Sequence, residues 1–396
     1  MTESRDRASL AAMVFAVLLA QVLLYPGVDR LVGALGATTD LDASMWFLAA
    51  EFAAFVAFAG LWGAASDRAG RRTPFIAAGA VGGAFGYLAL AVLPGLASLP
   101  FGAVLGLRAL QGAATIGAFS LAMTMLMDLE GGHGRNMAAA GAAIGGGTAL
   151  GAPIGGQLYE VGPFVPLYLA SVLLAGVAAL AVVVDDRAPS GDRDSLARAL
   201  AGLRRTPTLG VPYVFGFLDR LTAGFFALVG TLYFRSAFGL GPGATGVMLA
   251  LFFAPFALLQ YPMGILSDRV GRTVPIVAGS ACYGLVVVGV GRAPTVELAG
   301  AGMLAVGVLG ALMSPATMAL VTDLAADTER GVAMAGFNVF GSLGFLAGVV
   351  VGGSVAGAFG YPAAFLIAGG FEVAIAIVTV PVFLRLDVGR TATFAE

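Results

Sequence analysis

The sequence predicts an all-α membrane protein with 12 transmembrane helices in two pseudo-symmetric six-helix bundles. Three observations carry that expectation. The chain has 396 residues, of which 59% are hydrophobic and only 11% charged, and its mean hydropathy is +0.94. A soluble domain is about 25% charged; so few charges cannot build a water-facing surface, so much of this one must face lipid. The apolar residues also fall into long continuous runs. Finally, one polar phrase occurs twice, as GAASDRAGR at residues 63–71 and as GILSDRVGR at 264–272.

A helix needs roughly 20 apolar residues to cross a bilayer. Applied along the chain, that ruler marks spans at 9–28, 44–65, 74–93, 100–127, 137–158, 164–184, 209–234, 244–266, 274–291, 298–322, 332–355 and 362–384. The runs are continuous and rich in Ala, Leu and Gly, which favours helices over the short alternating strands of a barrel. The first run follows MTESRDR and imitates a secretory leader. It is long enough to span, and no clear A-x-A site follows, so it reads as a retained span.

The charges orient the chain. There is no Lys, so all 21 basic residues are Arg. With the N-terminus in the cytoplasm and alternating sides, 16 of them fall on the cytoplasmic side and three (Arg30, Arg235, Arg292) outside. The remaining two, Arg108 and Arg220, lie within spans. This asymmetry predicts a multi-pass protein of the plasma membrane with both termini cytoplasmic.

The repeated phrase implies duplication. At an offset of 201 residues Gly63 matches Gly264, Asp67 matches Asp268, Arg68 matches Arg269, Gly70 matches Gly271 and Arg71 matches Arg272. Gly151, Gly155 and Gly156 of the fifth span likewise echo Gly348, Gly352 and Gly353 of the eleventh. Two parallel six-span halves, 1–184 and 209–396, are a transporter architecture, with solute bound near the midplane. The joining stretch 185–208 is the most polar of the chain, and Leu196, Leu200 and Leu203 give it the spacing of a short amphipathic surface helix.

Composition also narrows the chemistry. The one Cys, Cys282, lies in an apolar run, and the one His, His133, lies in a polar loop. A His/Cys metal site or a His-based catalytic triad is not expected, nor is a disulfide within the chain. A phosphate-binding loop of the G-x4-G-K-[ST] type is impossible without Lys. No basic stripe calls for nucleic acid. The expectation is a non-enzyme that needs no metal or other cofactor; its partners are a small-molecule substrate, protons and the lipid bilayer.

The doubled phrase, G-x3-D-R-x-G-R, resembles the signature loop of the major facilitator superfamily, in both places where that family carries it. RALQGAAT, from Arg108, resembles the family's span-four motif. GTALGAPIGGQL, residues 147–158, resembles the span-five motif of its proton-driven drug exporters, although Ala152 stands where those have Pro, and Pro153 follows one place late. The resemblance covers the whole chain. It implies alternating access, a monomer, and a cytoplasmic gate at Gly63, Asp67, Arg68, Gly70, Arg71 and at Gly264, Asp268, Arg269, Gly271, Arg272. In that gate Asp67 and Arg71 hold the outward-facing state by charge contacts. Physically, an Asp at one helix end can accept bonds from the N-terminus of another helix, and the glycines permit the tight turn. Anchoring of the Arg residues among headgroups is the plainer alternative.

An ionised side chain at the bilayer centre costs roughly 2.5–3.5 kcal/mol on insertion scales. Glu51, Arg108, Asp219, Arg220 and Glu372 all fall within spans. Glu51 and Arg108 lie at similar depth in neighbouring spans and are expected to pair, either as a fixed ion pair or as a proton-linked one. Asp219 and Arg220 are adjacent, so they point about 100° apart. The expectation is that Arg220 pairs with Glu372 and leaves Asp219 for the cavity, where a carboxylate in apolar surroundings loads and releases a proton. Gln21, Tyr25, Gln111, Phe225, Phe226, Gln260 and Asn338 are the expected cavity lining, a mix suited to an amphipathic organic solute. The function this predicts is proton-coupled efflux of small amphipathic compounds. Facilitated diffusion or proton-coupled uptake of a sugar or metabolite is the alternative.

Overall fold

The computed structural model describes residues 2–97, 99–130, 133–186, 203–326 and 329–385. Among these residues there are 12 helices long and apolar enough to cross a membrane, and no strand. In chain order, spans 1 to 6 are Glu3–Ala34, Leu41–Ala69, Thr73–Leu96, Phe101–Asp128, Arg135–Val161 and Val165–Val183. Spans 7 to 12 are Pro207–Phe238, Pro242–Val270, Thr273–Val290, Val296–Leu324, Arg330–Phe359 and Tyr361–Arg385. Each sequence-derived run falls on one of them, and most helices continue a few residues past the apolar run. A helix keeps its hydrogen bonds beyond the hydrocarbon, so its end is not set by hydropathy. Residues 187–202 of the joining stretch expected to form a surface helix, Leu196 and Leu200 included, lie outside the described residues.

Two spans are not simple helices. Span 1 leaves α-helical geometry after Val22, passes through a 3-10 turn at Tyr25–Gly27, and resumes as the helix Val28–Ala34. Pro26 accounts for the break, because it lacks an N–H and its ring clashes with the preceding turn. Span 7 runs as Gly210–Phe225, loosens into a π-helical turn at Phe226–Gly230, and continues as Thr231–Phe238. Such turns are rare and cluster at functional positions.

The chain divides into two compact units. The first is Met1–Arg193 together with Gly230–Ala250. Within it, span 4 packs along spans 2 and 3, span 6 along span 3, and span 5 along span 1. The segment Gly230–Ala250 is held by polar contacts: Arg235 Nε donates to Asp29 Oδ2 at 2.7 Å, and the Gly243 N–H donates to Glu160 Oε1 at 3.1 Å. Arg30 also reaches Glu160, at 3.5 Å.

The second unit is Asp194–Val229 together with Leu251–Glu396. Span 7 packs along span 11, and span 9 along spans 10 and 12. Gly344 and Gly348 of span 11 sit directly on the span 7 backbone, where any Cβ would overlap the carbonyl oxygens of Phe217 and Leu221. Small residues that bring backbones together are the usual means of joining helices in lipid, where apolar burial gives no driving force. Tyr213 Oη donates to the Ala333 carbonyl at 2.7 Å, tying the start of span 7 to span 11.

Candidate functional site

Each unit carries one cluster of buried polar side chains. In the first, Arg108, Gln111 and Thr115 lie at i, i+3 and i+7 and so share one face of span 4. Arg108 Nη2 donates to Glu51 Oε2 at 2.5 Å, and both side chains are fully buried. Arg108 Nη1 donates to Gln111 Oε1, whose Nε2 donates on to Thr115 Oγ1 at 2.7 Å. Tyr87 Oη approaches Glu51 Oε1 at 3.5 Å. The guanidinium carbon stands 4.7 Å from the Phe47 ring centroid and 5.5 Å from that of Tyr87, within cation–π range. The structure therefore brings Glu51 and Arg108 together. Gln21, Tyr25 and Gln111 belong to the same neighbourhood, all buried. This is a closed, mostly satisfied network, which Gln21 joins beside Glu51; among its atoms Arg108 Nε has no hydrogen-bond partner.

The second cluster has a different composition. Asp219 and Thr222 come from span 7, Ser280 and Tyr283 from span 9, and Glu372 from span 12; all five are buried. Ser280 Oγ donates to Glu372 Oε2 at 2.5 Å. Tyr283 lies within the electrostatic reach of Asp219 and Glu372. Tyr283 also meets the Thr222 hydroxyl, and Glu372 Oε1 has no hydrogen-bond partner among the described residues. The sequence expectation is corrected here. Arg220 does not pair with Glu372: it is exposed, beside Gly341 of span 11, while Glu372 bonds to Ser280. It is Asp219 that is buried, within electrostatic range of Glu372 and Tyr283. The 100° between neighbours on a helix separates the pair as expected, with Asp219 buried and Arg220 exposed.

The expected lining residues of spans 7, 8 and 11 divide. Phe225 and Phe226 are fully buried in an aromatic core of the second unit, each edge-on or tilted against Phe365, with Phe226 also meeting Phe252. They are packing residues there. Gln260 is half-buried and Asn338 exposed.

The gate residues occupy two similar turns. Gly63, Asp67 and Arg68 ride on the last turns of span 2, and Gly264, Asp268 and Arg269 on those of span 8. Gly70 and Gly271 follow with φ of +63° and +85°, the left-handed conformation that glycine adopts without strain. Two residues then separate Gly70 from Thr73, the start of span 3, but only one separates Gly271 from Thr273, the start of span 9. The residue just before the helix is therefore Arg72 in one unit and Arg272 in the other. Arg72 is buried and bonds Asp128 at 2.7 Å; Arg272 bonds Asp323 at 3.1 Å and Asp268 at 2.5 Å. Arg71, matched to Arg272 in the sequence, instead reaches Asp186 at 3.3 Å.

Sequence reasoning missed Asp186. Its Oδ1 accepts the backbone N–H groups of Arg72 at 2.8 Å and Thr73 at 3.3 Å, so it caps the N-terminus of span 3 from the far end of span 6. Partial burial opposes its ionisation, but the two N–H donors and the Arg71 guanidinium outweigh that and hold its carboxyl below the usual range. The available signal was an acid two residues beyond an apolar run.

Among known proteins, the sequence pattern of the Major Facilitator Superfamily matches residues 10–229 and 213–395. An uncharacterised MFS-type transporter of Methanocaldococcus jannaschii, MJ1560, is 30% identical over 185 residues, covering 45% of each chain. The multidrug efflux pump LfrA of Mycolicibacterium smegmatis is 33% identical over 113 residues, 28% of this chain and 22% of the pump. The chain thus aligns with less than half the length of either relative. The solved structure of a bacterial homologue of the human lysosomal transporter Spinster, inward-facing and occupied, superimposes with a TM-score of 0.79. That match covers 97% of this chain and 98% of the other at 13% identity, a likeness of fold. With two matches that together run nearly end to end, the chain belongs to the major facilitator superfamily of membrane transporters.

Proposed function

We propose that this protein is a secondary active transporter that exports small amphipathic organic compounds by alternating access, driven by protons. The observation that carries the reading is the contrast between the two buried clusters. Glu51 has Arg108 against it, so its charge is neutralised within the protein. Asp219 and Glu372 share a buried region, and the cation nearest to them along the chain, Arg220, is exposed. Buried carboxylates without a paired cation shed their charge most simply by taking a proton. Intramembrane acids of this kind mark ion pathways by default. The arginine bias supports a plasma-membrane protein with both termini cytoplasmic, and a monomer is the family's usual state. The likeness of part of the chain to a multidrug efflux pump supports export.

The test is transport in sealed vesicles with an imposed pH gradient. Efflux of an amphipathic dye should follow the gradient in the wild type and lose that dependence in Asp219→Asn. Flux that ignores the gradient and survives Asp219→Asn would identify a facilitator of a sugar or metabolite instead.

A further inference from the structure

We propose that Arg220, with Asn338 and Ser342 beside it, holds the negative head of the transported solute, and that this solute is an amphipathic organic anion carrying one charge. The inference rests on the transport reading and names the substrate class within it. Span 7 runs from Pro207 to Phe238, so at about 1.5 Å per residue Arg220 stands about 20 Å from one end and about 27 Å from the other. The side chain is nevertheless exposed. Among the described residues no carboxylate forms an ion pair with it; Asp219, its neighbour in the chain, is within electrostatic range but buried. Charged side chains this deep in a span face either the bundle interior or a water-filled cavity, because lipid is too costly. An exposed side chain is not in the interior, so Arg220 borders water. At that depth it is also beyond the headgroup layer, which favours a solute over a bilayer lipid as its ligand.

Span 11 supplies the polar neighbours. Gly341 stands against the stem of Arg220: a Cβ added there would lie 3.2 Å from Arg220 Cγ. Asn338, Gly341 and Ser342 fall at i, i+3 and i+4, so they share one face of span 11. Asn338 and Ser342 are both exposed, and Ser342 Oγ donates to the Asn338 carbonyl at 3.0 Å. A face turned to lipid would be apolar here; this one sets a guanidinium beside an amide and a hydroxyl. The guanidinium is a planar fork of five donors, charged at every accessible pH, that matches the paired oxygens of a carboxylate. The Asn338 amide adds neutral donors. A single exposed cation suits a single negative charge. Phe217, three residues before Arg220, and Phe345, three residues after Ser342, lie on the same two faces and are half-buried. They flank the charge with apolar surface toward either end of the spans, which suits a solute with an apolar body and a charged head.

The experiment uses the full-length protein purified in an uncharged detergent. Its thermal unfolding is followed at neutral pH against two sets of probes that differ only in head group. One set is 2-naphthoate, 2-naphthamide and 2-naphthylmethylammonium; the other is 4-phenylbutyrate, its amide and 4-phenylbutylammonium. The anions should raise Tm by a few degrees, with saturation, and their neutral and cationic analogues should not. Arg220→Gln should abolish the anion response. Arg220→Lys should keep part of it, since the charge stays while the planar fork is lost. Asn338→Ala should weaken it, and Arg220→Glu should turn the preference to the ammonium probes. If Arg220→Gln fails to fold, equilibrium dialysis of radiolabelled 2-naphthoate against Arg220→Lys and wild type gives the same answer. No saturable preference for the anions, or one that persists in Arg220→Gln, overturns the inference. Gradient-driven efflux of a cationic dye, with no preference for anions, would leave the transport reading standing while this one falls. An Arg220-dependent anion response without gradient-driven efflux would do the reverse.

Discussion

Glu51 and Arg108 form an ion pair 2.5 Å long in which neither side chain is accessible to solvent. Removing one member of such a pair strands a buried charge, at a cost of about 3–5 kcal/mol, while replacing both is far milder. Arg108→Met alone should therefore lower thermal stability sharply, and Glu51→Met in the same chain should recover much of the loss. The comparison is of unfolding transitions in detergent for the two single variants and the double one. Strictly additive losses would mean that the pair is not coupled.

Asp186 gives a pH signature. Its carboxyl is held below the ordinary carboxylate value of 3.8 in the folded protein. A depressed folded pKa adds stability that is fully present above the unfolded value and disappears as pH falls through the folded one. The difference in unfolding temperature between wild type and Asp186→Asn should be constant from pH 7 down to about pH 5, then narrow as pH approaches 3. An unchanged gap at low pH would show that the cap acts without its charge.

Two glycines should respond in opposite ways to the same change. In Gly348→Ala the new methyl meets the Leu221 carbonyl, and overpacking of this kind costs about 1–3 kcal/mol. Nothing lies within 4 Å of a Cβ at Gly63, and alanine is the better helix former. Gly63→Ala should keep or raise the unfolding temperature. Transport measured on the same preparation then isolates function: lost flux in a stable Gly63→Ala protein would give that position a role in the transport cycle.

Most of the fold could be read from hydropathy, because in lipid each crossing must satisfy its own backbone and therefore shows as one long apolar run. Depth along a helix also placed Glu51 level with Arg108. Rotation about a helix axis was less accessible. For Asp219 and Arg220 the question was which of two adjacent residues turns inward, and nothing in the run of letters distinguishes the two faces of an apolar span. Phe225 and Phe226 were misplaced for the same reason, since a ring that faces a ligand and one that faces Phe365 have the same spacing. Asp186 escaped because its partners are backbone N–H groups on a different helix, and these leave no trace in side-chain pattern.

The one-residue difference between the two turns has a practical consequence for anyone mutating this chain. A fixed numerical shift equates Arg71 with Arg272, yet the arginine that occupies the equivalent seat is Arg72, one peptide further on. Paired alanine substitutions chosen by alignment would thus disable a solvent-washed side chain in one half and an anchored one in the other. Any asymmetry they revealed would be an artefact of counting.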